Sequence, residues 1–342
     1  MNEVPQADSP AGNRLEVVDC LRGVAVLLVC FLHLTVGANT SFAADSIIRR
    51  LGSYGWLGVE IFFVISGFII PYSLHRAGYQ PRDYPTFLLK RVLRLDPPYL
   101  FAVLLIIGLN YLVTLAPSFQ GEPFKFSLPQ TLLHLAYLNT FFDYGWLNPV
   151  FWTLAIEFQY YLAVGLLFPL LAHKSLFVRS GLYVGLGLLA GLLPEERFLC
   201  HWLFLFMLGM QVFQWRVALS SLRSFGLGLV LLSMGAWFTL GPLIAVVGVG
   251  TALVIALVRY QHPALLFLGA ISFSLYLVHV PIGVKVVNLG TRYVHGTFGN
   301  LVLVALALAL SILGAYALYI WVERPAQRWS SAMKYGKPAS LP

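Results

Sequence analysis

Long apolar runs, broken by short polar stretches, follow one another along almost the whole chain. They fall at 17–38, 54–74, 96–116, 150–172, 177–193, 198–214, 222–239, 242–258, 264–286 and 299–322. Each approaches or exceeds the roughly 20 residues that a helix needs to cross about 30 Å of hydrocarbon. The pattern predicts an all-α polytopic membrane protein with about ten transmembrane helices. A further apolar piece at 130–142 is too short to cross and is expected to be re-entrant or interfacial.

Composition agrees with that reading. The 342 residues are 59% hydrophobic and 11% charged, with a mean hydropathy of +0.79, whereas soluble domains are roughly 45–50% apolar and about 25% charged. No water-soluble core absorbs such an excess. The net charge of +8 sits in short loops and forms no stripe with interleaved aromatics, so a nucleic-acid partner is not expected. Topology explains it better. With 130–142 not spanning, Arg76, Arg82, Lys90, Arg91, Arg94, Lys174, Arg179, Arg216, Arg223, Arg259, Arg324, Arg328, Lys334 and Lys337 fall on one side. The positive-inside rule then puts both termini in the cytoplasm.

The expected organisation is a cytoplasmic tail over 1–16, one membrane domain over 17–323 and a second cytoplasmic tail over 324–342. The polar first residues, with Glu3 and Asp8, and the charges Asp19 and Arg22 at the start of the first run, do not make a cleavable signal peptide. Cys20, Cys30 and Cys200 have no metal-ligand spacing and read as small packing residues. Gly187 and Gly191 have the GxxxG spacing of close helix packing.

Ionisable groups at membrane depth are costly unless paired, so each is a functional candidate. Arg22 and His33 are eleven residues apart, three helical turns with about 20° left over and about 16 Å of rise. They share a face, with Arg22 near the cytoplasmic surface and His33 near the middle of the bilayer. Glu60 and Glu157 lie in the outer parts of their spans, where either carboxylate could orient the His33 ring or an acceptor hydroxyl. A structural role as partner to Trp, Tyr or Arg is equally open for both. Lys90, Arg91 and Arg94 cluster between two spans; Arg91 and Arg94 share a helical face, suited to phosphate oxygens or to lipid head groups. Ser272, Tyr276 and His279 form one stripe, open to substrate contact or to packing. Glu323 and Arg324 read as a local ion pair at a helix end. No two histidines or carboxylates have ligand spacing, and no metal is expected.

These residues stand in blocks: Arg22-x10-His33, GVEIFFVISGF at 58–68, FLLKRVLRLDPPY at 87–99, FWTLAIEFQYYL at 151–162, LGAISFSLYLVH at 268–279 and VERP at 322–325. In order and spacing the chain resembles the membrane acyltransferase 3 family, whose members acylate sugars of bacterial surface polysaccharides or macrolides. The resemblance implies that His33 is the catalytic histidine with Arg22 as its motif partner. It also implies that Lys90, Arg91 and Arg94 serve acyl-CoA and that Glu157 with Trp152 lines the site. Glu60 stands where many relatives have Asp, and Lys90 where Arg is usual, which loses a bidentate fork. Some relatives append a soluble C-terminal domain; none is expected here.

The function expected is transfer of an acyl group, taken as acetyl, from acetyl-CoA on the cytoplasmic face of the bacterial inner membrane to a glycan hydroxyl arriving from the other face. His33 acts as general base or as covalent carrier. Tyr276, His279 and Trp152 are expected to contact substrate, and membrane lipid is the surrounding partner. The rival is a transporter or flippase for a lipid-linked glycan, with His33, Glu60 and Glu157 as a proton relay.

Overall fold

The computed structural model describes residues 12–38, 42–115 and 122–336. Expectations resting on Glu3, Asp8, Lys337 and the far ends of both tails lie outside the described residues. Helices dominate, and among the described residues no strand occurs. In chain order they are α1 (Gly12–Thr35), α2 (Ile47–Gly52), α3 (Leu57–Arg76), α4 (Tyr84–Thr114), α5 (Leu128–His134) and α6 (Trp152–Leu171). Then come α7 (Leu176–Leu192), α8 (Leu199–Arg216), α9 (Leu222–Leu240), α10 (Pro242–Leu257), α11 (Pro263–Ala270) and α12 (Ser272–Val278). A π-helical turn (His279–Val284) leads to α13 (Lys285–Gly290), then α14 (Gly296–Leu318), a second π turn (Tyr319–Glu323) and α15 (Arg324–Ala332).

Among the described residues, seven helical stretches are long and apolar enough to cross a membrane, and α7 and α10 are shorter apolar helices. The protein is an all-α integral membrane protein. Helix α8 carries Gln211, Gln214 and Arg216 and is therefore less apolar, yet it is buried on nearly every side, from Trp202 to Gln214. A helix walled by other helices need not match lipid. Helix α9 shows the opposite: Leu227, Val230, Leu231, Met234 and Phe238 are all exposed, as a lipid-facing side demands. The 130–142 piece forms the seven-residue α5 and a short 3₁₀ turn (Asn139–Phe142), too brief to cross.

Packing is closest where two glycines let backbones touch. A Cβ on Gly67 of α3 would strike the Phe206 carbonyl, and one on Gly209 of α8 would strike the Val64 carbonyl. Gly23 of α1 and Gly269 of α11 do the same for their pair. The expected Gly187–Gly191 contact is not where this happens. Gly191 has nothing within 4 Å of an added Cβ and Gly187 only the Phe204 ring at 3.7 Å, so this stripe makes no close backbone contact.

Two apolar runs differ from expectation in shape. The basic block before residue 96 is helical, because α4 starts at Tyr84 and runs through Pro97 and Pro98. The run at 264–286 is broken into α11, α12, the π turn and α13. Pro281 is the cause of the second break. It has no N–H for the Leu277 carbonyl one turn back. Asn148 Nδ2 donates to that oxygen instead, at 3.1 Å, from a fully buried position in the loop before α6.

Candidate active site

A cavity of about 350 Å³ runs between α1, α3, α4, α6 and α12. Its α3 wall extends from Ser73 to Val59, fourteen residues or about 21 Å of helix. At one end it gathers Arg22, Arg91 and Arg94 with Asp19 and Glu323; at the other it reaches Phe62, Thr153 and Tyr276.

Helical periodicity puts Arg91 and Arg94 on one face of α4, about 60° apart, and leaves Lys90 within about 40° of Arg94, so spacing alone does not separate the three. Lys90 is drawn out of the cluster by the C-terminal segment. Its Nζ donates to the Met333 carbonyl at 2.5 Å and lies 5.1 Å from the Tyr335 ring, while Ser330 Oγ donates to the Lys90 carbonyl. Arg91 lies over the rings of Phe87 and Tyr161, each at 5.3 Å, and donates to Ser73 Oγ at 3.3 Å. Arg22 faces Asp19 at 4.0 Å. Glu323 is not an ion-pair partner of Arg324, as read from sequence. It caps the start of α12, accepting from Ser274 N and Oγ at 3.2 and 2.6 Å, and accepts from Gln327 at 2.9 Å. Arg94 makes no hydrogen bond to the described residues. With both nearby carboxylates engaged, its planar fork is the one best placed to meet an added anion.

Midway along the cavity stands Glu157. Its Oε1 accepts from Ser66 Oγ at 3.0 Å and from the Tyr161 hydroxyl at 2.5 Å. At the far end the Tyr276 hydroxyl meets Thr153 Oγ1 at 2.7 Å and donates to the Val150 carbonyl at 3.1 Å, with Phe62 edge-on at 6.0 Å. Tyr276 thus closes the cavity.

One helical turn beyond Tyr276 lies His279, fully buried, and opposite it His33. The rings are 5.1 Å apart, with His279 Nε2 3.3 Å from His33 Nδ1. His33 belongs to the last turn of α1, which ends at Thr35, so it stands at the end of its span rather than at the centre. Neither Glu60 nor Glu157 holds its ring. Each histidine Nδ1 instead faces the carbonyl four residues back, Val29 at 2.9 Å and Leu275 at 3.0 Å.

Other expected site residues lie outside the cavity. Glu60 is 3% exposed, and its Oε2 has no partner among the described residues. Trp152 packs its ring on Trp202 and Phe63 at 5.5 and 6.5 Å. Sequence reasoning missed Ser66, Thr153 and Tyr161, all within the quoted blocks, because hydroxyls in apolar runs carry no periodic signal. It also missed Tyr137, which the short 128–142 segment inserts into the bundle. Its backbone is left-handed, φ 57°, a conformation uncommon for an aromatic residue. The ring stacks between Tyr99 and Phe158 at 4.8 and 5.1 Å and its hydroxyl donates to Asp96 at 2.8 Å.

Comparison with known proteins points the same way. Residues 15–320 match a family described as an acyltransferase domain. O-acetyltransferase OatA of Staphylococcus aureus (strain NCTC 8325 / PS 47) is 25% identical over 361 residues, covering 91% of this chain and 57% of the relative. The same protein from strain COL matches equally. The chain thus spans 57% of the length of those curated relatives. Protein 2 in picA locus of Rhizobium radiobacter is 31% identical over 93 residues, 27% of this chain and 44% of the relative. No solved structure matches.

Proposed function

We propose, from the premise that this chain belongs to the acyltransferase 3 family (Acyl_transf_3), that it is a membrane O-acyltransferase moving an acyl group, taken as acetyl, from acyl-CoA on the cytoplasmic side to a glycan hydroxyl from the opposite side. The observation that carries this reading is the cavity itself. It joins a cluster of guanidiniums to a hydroxyl-rich end one helical turn short of His279, whose ring meets that of His33.

Arg22, Arg91 and Arg94 are the groups that would hold the phosphates of CoA, since guanidinium forks match phosphate oxygens in a bidentate manner. Lys90 is left out because the chain's own C-terminal segment occupies it. The acyl-pantetheine arm lies along the cavity, past Glu157, toward Tyr276. Tyr276 and Phe62 must swing aside for the thioester to reach His33.

His33 Nε2 then takes the proton of the acceptor hydroxyl as its oxygen attacks the thioester carbonyl. The tetrahedral intermediate collapses, the C–S bond breaks, and the CoA thiolate leaves with the proton that His33 returns. Ester and free thiol are the products, and the histidine ends as it began. Glu157, with Ser66 and Tyr161 fixing its orientation, lines the path of the donor. A transient acyl-His33 is the other route to the same products.

The test uses the full chain in lipid nanodiscs with labelled acetyl-CoA and a panel of glycan acceptors. His33→Ala is expected to lose transfer while keeping its chromatographic profile. Transfer at the wild-type rate would refute the assignment. Label retained on the wild-type protein without acceptor would favour the acyl-histidine route.

A further inference from the structure

We propose that His279 is a positioning residue for His33, holding its Nδ1–H and leaving Nε2 as the reactive atom; the catalytic part of this inference rests on the acyltransferase reading above.

The protonation pattern follows from which groups can accept. A backbone carbonyl only accepts, so the ring nitrogen beside it must carry hydrogen. His279 Nδ1 lies 3.0 Å from the Leu275 carbonyl and His33 Nδ1 lies 2.9 Å from the Val29 carbonyl. Each neutral ring is therefore protonated at Nδ1 and bears its lone pair on Nε2. His279 Nε2 is 3.3 Å from His33 Nδ1, so it accepts a share of the hydrogen that His33 also gives to Val29. Both nitrogens of His279 are now engaged. His33 Nε2 makes no hydrogen bond to the described residues, and it is the one lone pair of the two rings left for a substrate.

The same contact gains strength during reaction. When Nε2 of His33 takes the acceptor proton, the ring becomes an imidazolium and Nδ1–H becomes a charge-assisted donor to His279. That is the service a buried carboxylate gives in a Ser-His-Asp triad, rendered here by a neutral ring. The proton goes back from Nε2 to the departing thiolate, so His279 exchanges none.

His279 is itself held in place. It is fully buried, and it opens the π turn that Pro281 forces on its helix. Asn148 pins that turn through the freed Leu277 carbonyl. Helical segments interrupted by single π turns often mark functional positions.

Two measurements on the full chain in nanodiscs test the proposal. The first is ¹⁵N NMR of histidine-labelled protein, with His33→Gln and His279→Gln supplying assignments. Nδ1 protonated and Nε2 bare on both rings is expected; a His33 proton on Nε2 would overturn the pairing. This readout needs no substrate, so it separates failure of the pairing from failure of the acyltransferase reading, which would appear as no transfer by wild type to any acceptor.

The second is the kinetics of His279→Leu and His279→Gln. Loss of a hydrogen bond to a charged group predicts roughly a ten- to hundredfold fall in kcat for His279→Leu, with the donor KM within about twofold. The Gln variant, whose amide oxygen still accepts, is expected to recover most of that loss. A kcat for His279→Leu within twofold of wild type would overturn the proposal, as would equal losses in both variants. If His279→Leu does not fold, a tenfold loss of kcat in folded His279→Gln overturns it alone.

Discussion

Replacing Asn148 by Leu should expose how the broken helix around His279 is held. Asn148 is fully buried and its Nδ2 supplies, at 3.1 Å, the hydrogen bond that Pro281 cannot give to the Leu277 carbonyl. Its Oδ1 is 3.4 Å from Val150 N, too long to contribute much. Leu therefore leaves one buried carbonyl unpaired, at a cost of about 1–3 kcal/mol. The diagnostic is the double variant. Pro281→Ala restores an N–H that can reach Leu277 O by the ordinary helical bond, so Asn148→Leu should cost little in that background. Reversible unfolding in mixed micelles, followed by tryptophan fluorescence, gives the four free energies of the cycle. A coupling of about 1 kcal/mol or more is expected, with partial loss of transfer in Pro281→Ala as the turn carrying His279 straightens. Independent sites add to within about 0.3–0.5 kcal/mol, and a coupling that small would refute the account of Asn148 as the substitute donor.

Two further outcomes test the charged end of the cavity and the loop before α6. Arg94→Ala should weaken donor binding by about ten- to a hundredfold, whereas Lys90→Ala should change it by less than about twofold and instead raise hydrogen exchange over Ser330–Tyr335; isothermal titration with CoA and exchange mass spectrometry read the two effects. His134 is buried, which lowers its proton affinity against the opposing pull of the Gln130 carbonyl, and it accepts the Leu147 N–H at Nε2. A histidine whose folded pKa is depressed binds fewer protons folded than unfolded, so stability falls as pH drops below the ordinary histidine value of about 6.5. Unfolding curves between pH 7 and 5 should show that loss in the wild type and a shallower one in His134→Gln; an unchanged slope would count against it.

Much of the architecture was legible from the order of residues because lipid imposes a one-dimensional rule. A span must be long, apolar and helical, so apolar runs mark α1, α3, α6, α9 and α14 directly, and the thirteen residues of 130–142 could be set aside by length. Helical spacing likewise put Arg91 and Arg94 on one face before any fold was known. The rule weakens where helices touch protein instead of lipid. The buried α8 could carry Gln211 and Gln214, and Gly67 and Gly209, not the visible Gly187–Gly191 pair, make the closest contacts, because contact depends on which helix stands opposite.

The sequence by itself therefore determined the membrane class, the helical segments and the set of ionisable residues from which a site could be made. Only the tertiary structure decided how they combine. It sent Lys90 to the C-terminal segment, left Glu60 and Trp152 outside the cavity, and placed His279 against His33 across 246 positions of chain. The physical reason is that burial cost flags a polar residue within lipid, whereas its partner is chosen by the crossing of helices, and distance along the chain carries no record of that crossing.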